Sequence, residues 1–362
     1  MTLQVHHYFP LGSVNLGDTL VARAIGEAVT RHFGAVNIES LPVNDRLRDG
    51  DRPLGLRGEN LDHSNESADL VIVGGSNLLE PRRHGGWGVE TDLESINRLK
   101  PPVLLLGMGT GSSFGKPVPS WREPARAEVT SLFSRAFASA VRDVTTERSL
   151  ARIGVTTRTT GCPVTYLQDD PVQAGREDDP LLVSFPPPRI TRRRKGRKFM
   201  KEAIAYLVWL QGLGIKIIVT LHDTRDLAVA RQLVPPDLEI FLAESQEELQ
   251  VRFKASRGVI GFRLHAALLG LGLGRPVIPV GVDWRGQGFI ETFDLHSVSI
   301  QSRPLSEFRK LRALTLLLLD GDRSLIEKLD RAKTEGRQKQ EGFLDEAFTR
   351  FSRPERTGLR PA

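Results

Sequence analysis

The chain of 362 residues is 40% hydrophobic and carries 50 basic against 44 acidic residues, a formal charge of +6. This is enough apolar material for two ordinary cores, and two cores imply a cleft between them. Charges of both signs are spread along most of the sequence, which excludes the dense basic balance of a nucleic-acid binder, and the single cysteine, Cys162, excludes an internal disulfide and a cysteine-based zinc site.

Met1 to Tyr8 has neither a basic start nor a long apolar stretch, and the longest apolar segments are broken by Arg, His or Asp. A soluble, unprocessed, cytoplasmic protein is therefore expected. A first strand is predicted at Leu3 to Tyr8. It is followed by the turn "PLGSVNLGD" and an amphipathic helix from about Thr19 to Phe33, with Asp18 as its N-cap. "DLVIVGG" and "PVLLLGMGTG" are short continuous apolar runs ending in glycine, the pattern of parallel strands buried on both faces. "AFASAVRD" reads as another strand and "TERSLARIGV" as a short helix with a glycine stop.

The polar "QDDPVQAGREDDP" is the expected linker. After it, "LLVSF", "KIIVTLHD", "LEIFLA", "GVIGF" and "PVIPVG" are predicted strands. Between them fall helices at Gly196 to Gln211, at Thr224 to Leu233, and at "SQEELQVRFKAS", which opens on a Ser245–Glu248 capping box. From Leu305 to about Phe351 the sequence is charged with a helical period. The predicted class is α/β, two doubly wound Rossmann-like domains facing across a cleft with a helical C-terminal segment. The divisions fall at 1–170, a linker at 171–180, a second domain at 181–304, helices at 305–351 and a disordered tail at 352–362.

In such sheets ligands sit beyond the carboxyl ends of the strands, so the turns there hold the candidate residues. "NLGD" sets Asn15, Gly17 and Asp18 where the first strand meets the first helix, either as a plain capped turn or as an anion site. Gly74 and Gly75 of "GGSNLLE" and Gly109 of "GMGTGSS" allow close backbone approach, but neither loop is a nucleotide-binding fingerprint. Arg142 in "VRD" is either a surface ion pair or a bidentate fork for carboxylate or phosphate. Cys162 reads as a small packed residue rather than a nucleophile. In "VIGFRLHAALLGLGLGRPVIPVGVD", Arg263 and His265 bracket a turn inside a segment apolar enough for a core, either as a satisfied histidine beside a surface arginine or as a pair reaching into the cleft. A buried arginine calls for an anionic partner, and an unperturbed histidine titrating near ~6.5 suits proton transfer.

The order "NLGD", "VGG", "GMGTG", "VRD", "SLARIGV", "GCP" and "FRLHAALLGLGLGRPVI" resembles the polysaccharide pyruvyl transferase family, from about Asn15 to Phe293. The resemblance implies a GT-B-like protein that moves the enolpyruvyl group of phosphoenolpyruvate onto a sugar of a cell-surface polysaccharide or its lipid-linked precursor, closing a pyruvate ketal. It makes the N-terminal domain the acceptor side and the second domain the donor side. His265 maps onto the family's catalytic histidine, and Arg263 and Arg142 onto its anion-holding arginines. No cofactor and no metal are implied, with phosphoenolpyruvate as co-substrate.

Two departures stand out: "GGS" where a third glycine is common, and Arg285 in "VDWRGQGF" where the family has a lysine. Trp87, with Arg82, Arg83 and His84 in "EPRRHGGWG", is assigned to the acceptor sugar or to an ordinary exposed loop. Seven of the ten residues in "RITRRRKGRK" are basic, either a solvated loop or, through Arg192 to Lys198, a peripheral contact with the inner membrane face. No nucleic-acid partner is expected. A nucleotide-sugar glycosyltransferase and a non-catalytic binding relative remain the alternatives; the helix from His265 to Gly274 lacks the carboxylate that often holds a ribose in the former.

Overall fold

The computed structural model describes residues 2–13, 15–44, 55–81, 86–111, 120–187, 190–191, 194–302 and 307–352. Residues 353–362, most of the predicted tail, and Arg82, Arg83, His84, Arg192 and Arg193 lie outside them. The first half alternates β1 (Leu3–Phe9), α1 (Leu16–Phe33), β2 (Val36–Pro42), α2 (Gly58–Ser67), β3 (Leu70–Gly74), α3 (Leu93–Arg98), β4 (Val103–Met108), α4 (Ala125–Arg135), β5 (Ala136–Val141), α5 (Val144–Ala151) and β6 (Arg158–Thr159). These strands form a parallel sheet in the order β2-β1-β3-β4-β5-β6.

The second half repeats the scheme with β7 (Leu181–Ser184), α6 (Arg194–Gln211), β8 (Ile217–Leu221), α7 (Leu227–Leu233), β9 (Glu239–Leu242), α8 (Gln246–Lys254), β10 (Gly258–Gly261), α9 (Leu264–Gly272), β11 (Val277–Gly281), α10 (Trp284–Thr292) and β12 (Ile300–Gln301). Its parallel order is β12-β11-β10-β7-β8-β9. The expected pair of doubly wound, GT-B-like domains is thus present. Every residue of β3, β4, β7, β8, β10 and β11 is buried, because helices cover both faces of each sheet.

The helical C-terminal segment is two elements with different jobs. Helix α11 (Glu307–Leu319) packs on the second sheet, whereas α12 (Arg323–Phe351) crosses back to the first domain. There His32 Nδ1 meets Asp345 at 2.9 Å, and Phe33 stacks edge-on against Phe348 at 5.4 Å. Lys333, buried on α12, donates to Asp170 O (2.7 Å) and Gly272 O (3.3 Å). It puts a cationic donor on the carbonyl end of α9, and burial pushes its pKa down to about 8.

Residues 171–180, the expected linker, are tied down by Val172 N to Asp330 Oδ1 (2.8 Å) and Gln173 N to Gly274 O (3.0 Å). One apolar cluster runs from the α1 face of the first sheet through the 163–166 turn into the second domain; another fills the opposite face beneath α2, α3 and α4. The domains therefore share a core as well as a cleft. The Ser245–Glu248 box forms, with Glu248 N bonded to Ser245 Oγ at 3.1 Å and the Glu248 carboxylate accepting from Glu244 N at 2.8 Å. At α1 the expected cap is corrected. The helix starts at Leu16 and Asn15 caps it, accepting from Gly17 N at 3.1 Å, while Asp18 lies inside the first turn.

Candidate functional site

At the carboxyl end of β10 the chain turns through Phe262 and Arg263 into α9, and the turn is fixed by Arg263 N bonding Ser184 Oγ at the end of β7 (2.9 Å). The arginine has an internal anionic partner. Its guanidinium pairs with Asp226, beyond β8, and Nε reaches Phe185 O at 3.3 Å. A cation can therefore enter this apolar segment without being left uncompensated.

His265, in the first turn of α9, crosses the cleft and lies over Gly17 of α1. A Cβ at residue 17 would sit 2.0 Å from its Nδ1, so glycine is needed for the approach. Asn15 Nδ2 is 3.5 Å from the same nitrogen, and an isolated antiparallel bridge joins the backbones of Asn15 and Asp223 beside it. His265 does not titrate near its ordinary value. Burial pushes its pKa down to about 4; Asp18 opposes the shift, and the charges of Arg285, Arg142 and Arg263 add to it.

Asp18 is held on both oxygens, by Ser76 Oγ (2.6 Å) and Ser13 Oγ (2.8 Å). A carboxylate thus already occupies the helix end where an anion site was weighed. Ser76 is the residue in "GGS" that stands where a third glycine is common, and its φ is +55°. That left-handed conformation costs a non-glycine residue about 1 kcal/mol, and the short charge-assisted bond to Asp18 offsets it.

Four arginines around this cleft each have an aspartate partner nearby in sequence or space. Arg142 is buried at the end of β5. It donates from Nε to Asp143 (3.0 Å) and from Nη2 to Asn77 Oδ1 (3.1 Å) and Thr110 O (3.4 Å). Arg285 pairs with Asp283, the N-cap of α10, and Arg225 with Asp223; Arg263 and Asp226 complete the set. Three of these aspartates, Asp143, Asp223 and Asp283, also cap the helix or 3-10 turn that follows them. Arg142, Arg225 and Arg285 are thereby each anchored to a helix or turn start, which fixes their positive charge beside the cleft.

The glycines of the loops make room for protein groups. Gly109 lies under Arg142, with a Cβ there 2.3 Å from Nη2, and Gly111 lies under Arg285. Gly74 and Gly75 pack against Leu106 O and Val21, so the second glycine loop serves packing of sheet against α1 rather than ligand approach. Trp87 is corrected as an acceptor platform. It is 2% exposed within the first domain's core, and its indole donates to Glu128 at 2.8 Å, leaving no ring face for a sugar. Cys162 is buried, and burial raises its thiol to about 11, which keeps it protonated and inert.

Sequence reasoning missed Asn77, Asp226 and His222. His222 follows β8 in "TLHD", a strand-end position equivalent to that of "FRLH", and this was the available signal. It is 4% exposed and neither ring nitrogen has a hydrogen-bond partner among the described residues. Burial, with the charges of His265 and Arg263, pushes its pKa down to about 3; His7, buried on β1, is pushed down to about 4 by burial.

Both histidines are neutral in the native state, so the unfolded chain binds more protons below about pH 6.5. Their stability contribution is complete above that pH and is lost as pH falls toward 4. Unfolding free energy should drop by roughly 4 kcal/mol between pH 7.5 and pH 5 for the pair. Denaturant titrations at the two pH values check this, with His7→Gln and His222→Gln each flattening the slope; a flat wild-type profile would refute it.

A sequence model of the polysaccharide pyruvyl transferase family matches residues 15–283. No curated protein sequence matches the chain significantly. Among solved structures, the S. aureus MnaA–UDP co-structure superposes with a TM-score of 0.53 at 11% identity, covering 91% of each chain. Sucrose-phosphate synthase from Thermosynechococcus elongatus gives 0.52 at 13%, covering 98% of each. A putative UDP-N-acetylglucosamine 2-epimerase from Listeria monocytogenes gives 0.51 at 11%, covering 91% of each. At such identities the likeness is one of fold.

Proposed function

This chain belongs to the polysaccharide pyruvyl transferase family, and we propose that its cleft transfers the enolpyruvyl group of phosphoenolpyruvate to a sugar of a cell-surface polysaccharide or its lipid-linked precursor. The observation that carries the proposal is His265 seated on Gly17 two residues after the ion-paired Arg263, with Arg142 and Arg285 brought together beside Asn77 and their charges acting on the imidazole. Phosphoenolpyruvate brings a carboxylate and a phosphate, two groups that match guanidinium forks.

In the proposed reaction His265 delivers a proton to C3 of the enol phosphate while a sugar hydroxyl attacks C2; of the two hydroxyl protons released overall, one restores His265 and the other leaves on the phosphate. The C2–O bond to phosphate then breaks, inorganic phosphate leaves against the arginines, and a second hydroxyl closes the ketal. Asp18, fixed by Ser13 and Ser76, keeps negative charge beside the imidazole and favours its protonated form. The chemistry asks for no metal and no cofactor. A lipid-linked acceptor would bring the enzyme to a membrane surface, toward which the exposed Arg194, Lys195, Arg197 and Lys198 offer positive charge. No helix among the described residues is long and apolar enough to cross a membrane.

Phosphoenolpyruvate at 100 times its dissociation constant should stabilise the protein by about 2.7 kcal/mol. The thermal midpoint should rise with it, and less with inorganic phosphate or UDP-glucose; Arg263→Ala should abolish the shift. A response to UDP-glucose alone would instead favour a glycosyltransferase.

A further inference from the structure

Away from the cleft, the α2 face of the first sheet carries a cluster that pyruvyl transfer does not use. His6 on β1 faces Glu39 across the parallel register with β2, and His63 projects from α2 over the pair. One ligand atom from each lies within 4.8 Å of the others, and among the described residues this is the one such trio. His6 Nε2 is 3.4 Å from Glu39 Oε2, and His63 Nε2 is 3.1 and 3.0 Å from the two Glu39 oxygens. A tetrahedral ion with bonds of about 2.0–2.1 Å holds its ligand atoms roughly 3.3 Å apart. Two edges of the trio are already near that spacing.

The surrounding hydrogen bonds fix how the rings are presented. Tyr8 Oη donates to Asn60 O (2.8 Å), a carbonyl that can only accept. The Ser64 hydroxyl, 2.7 Å from Tyr8 Oη, must then donate to it, which leaves Ser64 Oγ to accept from His6 Nδ1 at 2.9 Å. Nδ1 therefore carries a ring proton, and in the neutral imidazole Nε2 turns its lone pair toward the Glu39 carboxylate. That lone pair and the carboxylate repel, and either a second ring proton or a bound cation between them relieves the repulsion. Near His63, Ser67 spends its hydrogen on His63 O (2.8 Å), so its oxygen can accept; it lies 3.4 Å from both His63 Nδ1 and His6 Nε2. Hydroxyls behind the far nitrogens are the outer support that metal-binding imidazoles use.

We propose that His6, Glu39 and His63 bind a divalent transition cation of the zinc class, with water completing the coordination. Two imidazoles and a carboxylate suit such an ion better than magnesium or calcium, which take oxygen ligands. The site lies three residues back from the cleft end of β1, about 10 Å along the strand. It clamps the edge strand β2 and helix α2 onto β1 and takes no part in the transfer, so it stands independently of the proposed reaction.

The test titrates metal-free full-length protein with Zn2+ by calorimetry at pH 7.5 and with Co2+ by visible absorption, with Mg2+ as control. One equivalent of Zn2+ should bind tighter than about 10 μM, with a tetrahedral Co2+ spectrum and a rise of several degrees in thermal midpoint. His63→Ala and Glu39→Gln, both at exposed positions that should fold normally, should abolish binding, and His265→Ala should retain it. Absence of stoichiometric binding, binding that survives both substitutions, or binding lost only in His265→Ala would overturn the proposal.

Discussion

His265→Ala should lower kcat for ketal formation by about 10²–10⁴-fold, while the dissociation constant for phosphoenolpyruvate changes only a few-fold. The size follows from losing the proposed proton donor, and the selectivity from leaving the three arginines in place. With a pKa of about 4 in the protein alone, roughly one imidazole in a thousand is protonated at pH 7, too few for an efficient acid. The substrate should correct this itself. Burial, the largest cause of the depression, remains, but the anionic groups of the substrate neutralise the arginines that add to it, while Asp18, which opposes it, stays.

The basic limb of kcat should therefore lie above that of kcat/KM, since the first reports the complex and the second the free enzyme. Asp18→Asn should move the kcat limb down, and His265→Ala should remove it. A His265→Ala enzyme within tenfold of wild-type kcat would end the assignment of this residue as the acid.

Arg142→Ala should destabilise the protein by about 3–5 kcal/mol, the cost of stranding a buried charge. Asp143 is 1% exposed and receives Arg142 Nε at 3.0 Å. The same carboxylate caps α5 through Thr146 N and Oγ1, both at 2.8 Å, and packs against Gly288 of α10 across the cleft. Losing the arginine thus loosens a helix start and an inter-domain contact together. Arg142→Lys should recover part of the loss, because an ammonium keeps the charge but cannot make the bonds to Asp143, Asn77 and Thr110 in one plane. Denaturant unfolding reads these differences, and an Arg142→Ala midpoint equal to wild type would contradict them.

Much of the molecule was legible because the governing interactions are local. Continuous apolar runs ending in glycine marked β3, β4 and β10, and Ser245 with Glu248 marked the start of α8, since a strand's burial pattern or a helix cap is settled within a few residues. The edge strand β2 escaped, as its exposed Asn37, Glu39 and Ser40 interrupt any apolar run, and the two-residue β6 and β12 carry no period at all. Trp87 looked like a sugar platform because an aromatic beside glycines says nothing of burial. The Glu128 that claims its indole is 41 residues away.

The sequence by itself determined the two wound domains, the turns that face the cleft and the arginines and histidine that stand in them. Only the tertiary structure decided that His265 rests on Gly17, nearly 250 residues distant, that Ser76 holds Asp18, and that Asp226 already answers Arg263. Desolvation and charge fields act through space rather than along the chain, so the protonation state of a residue at a domain junction exists only once both domains are packed around it.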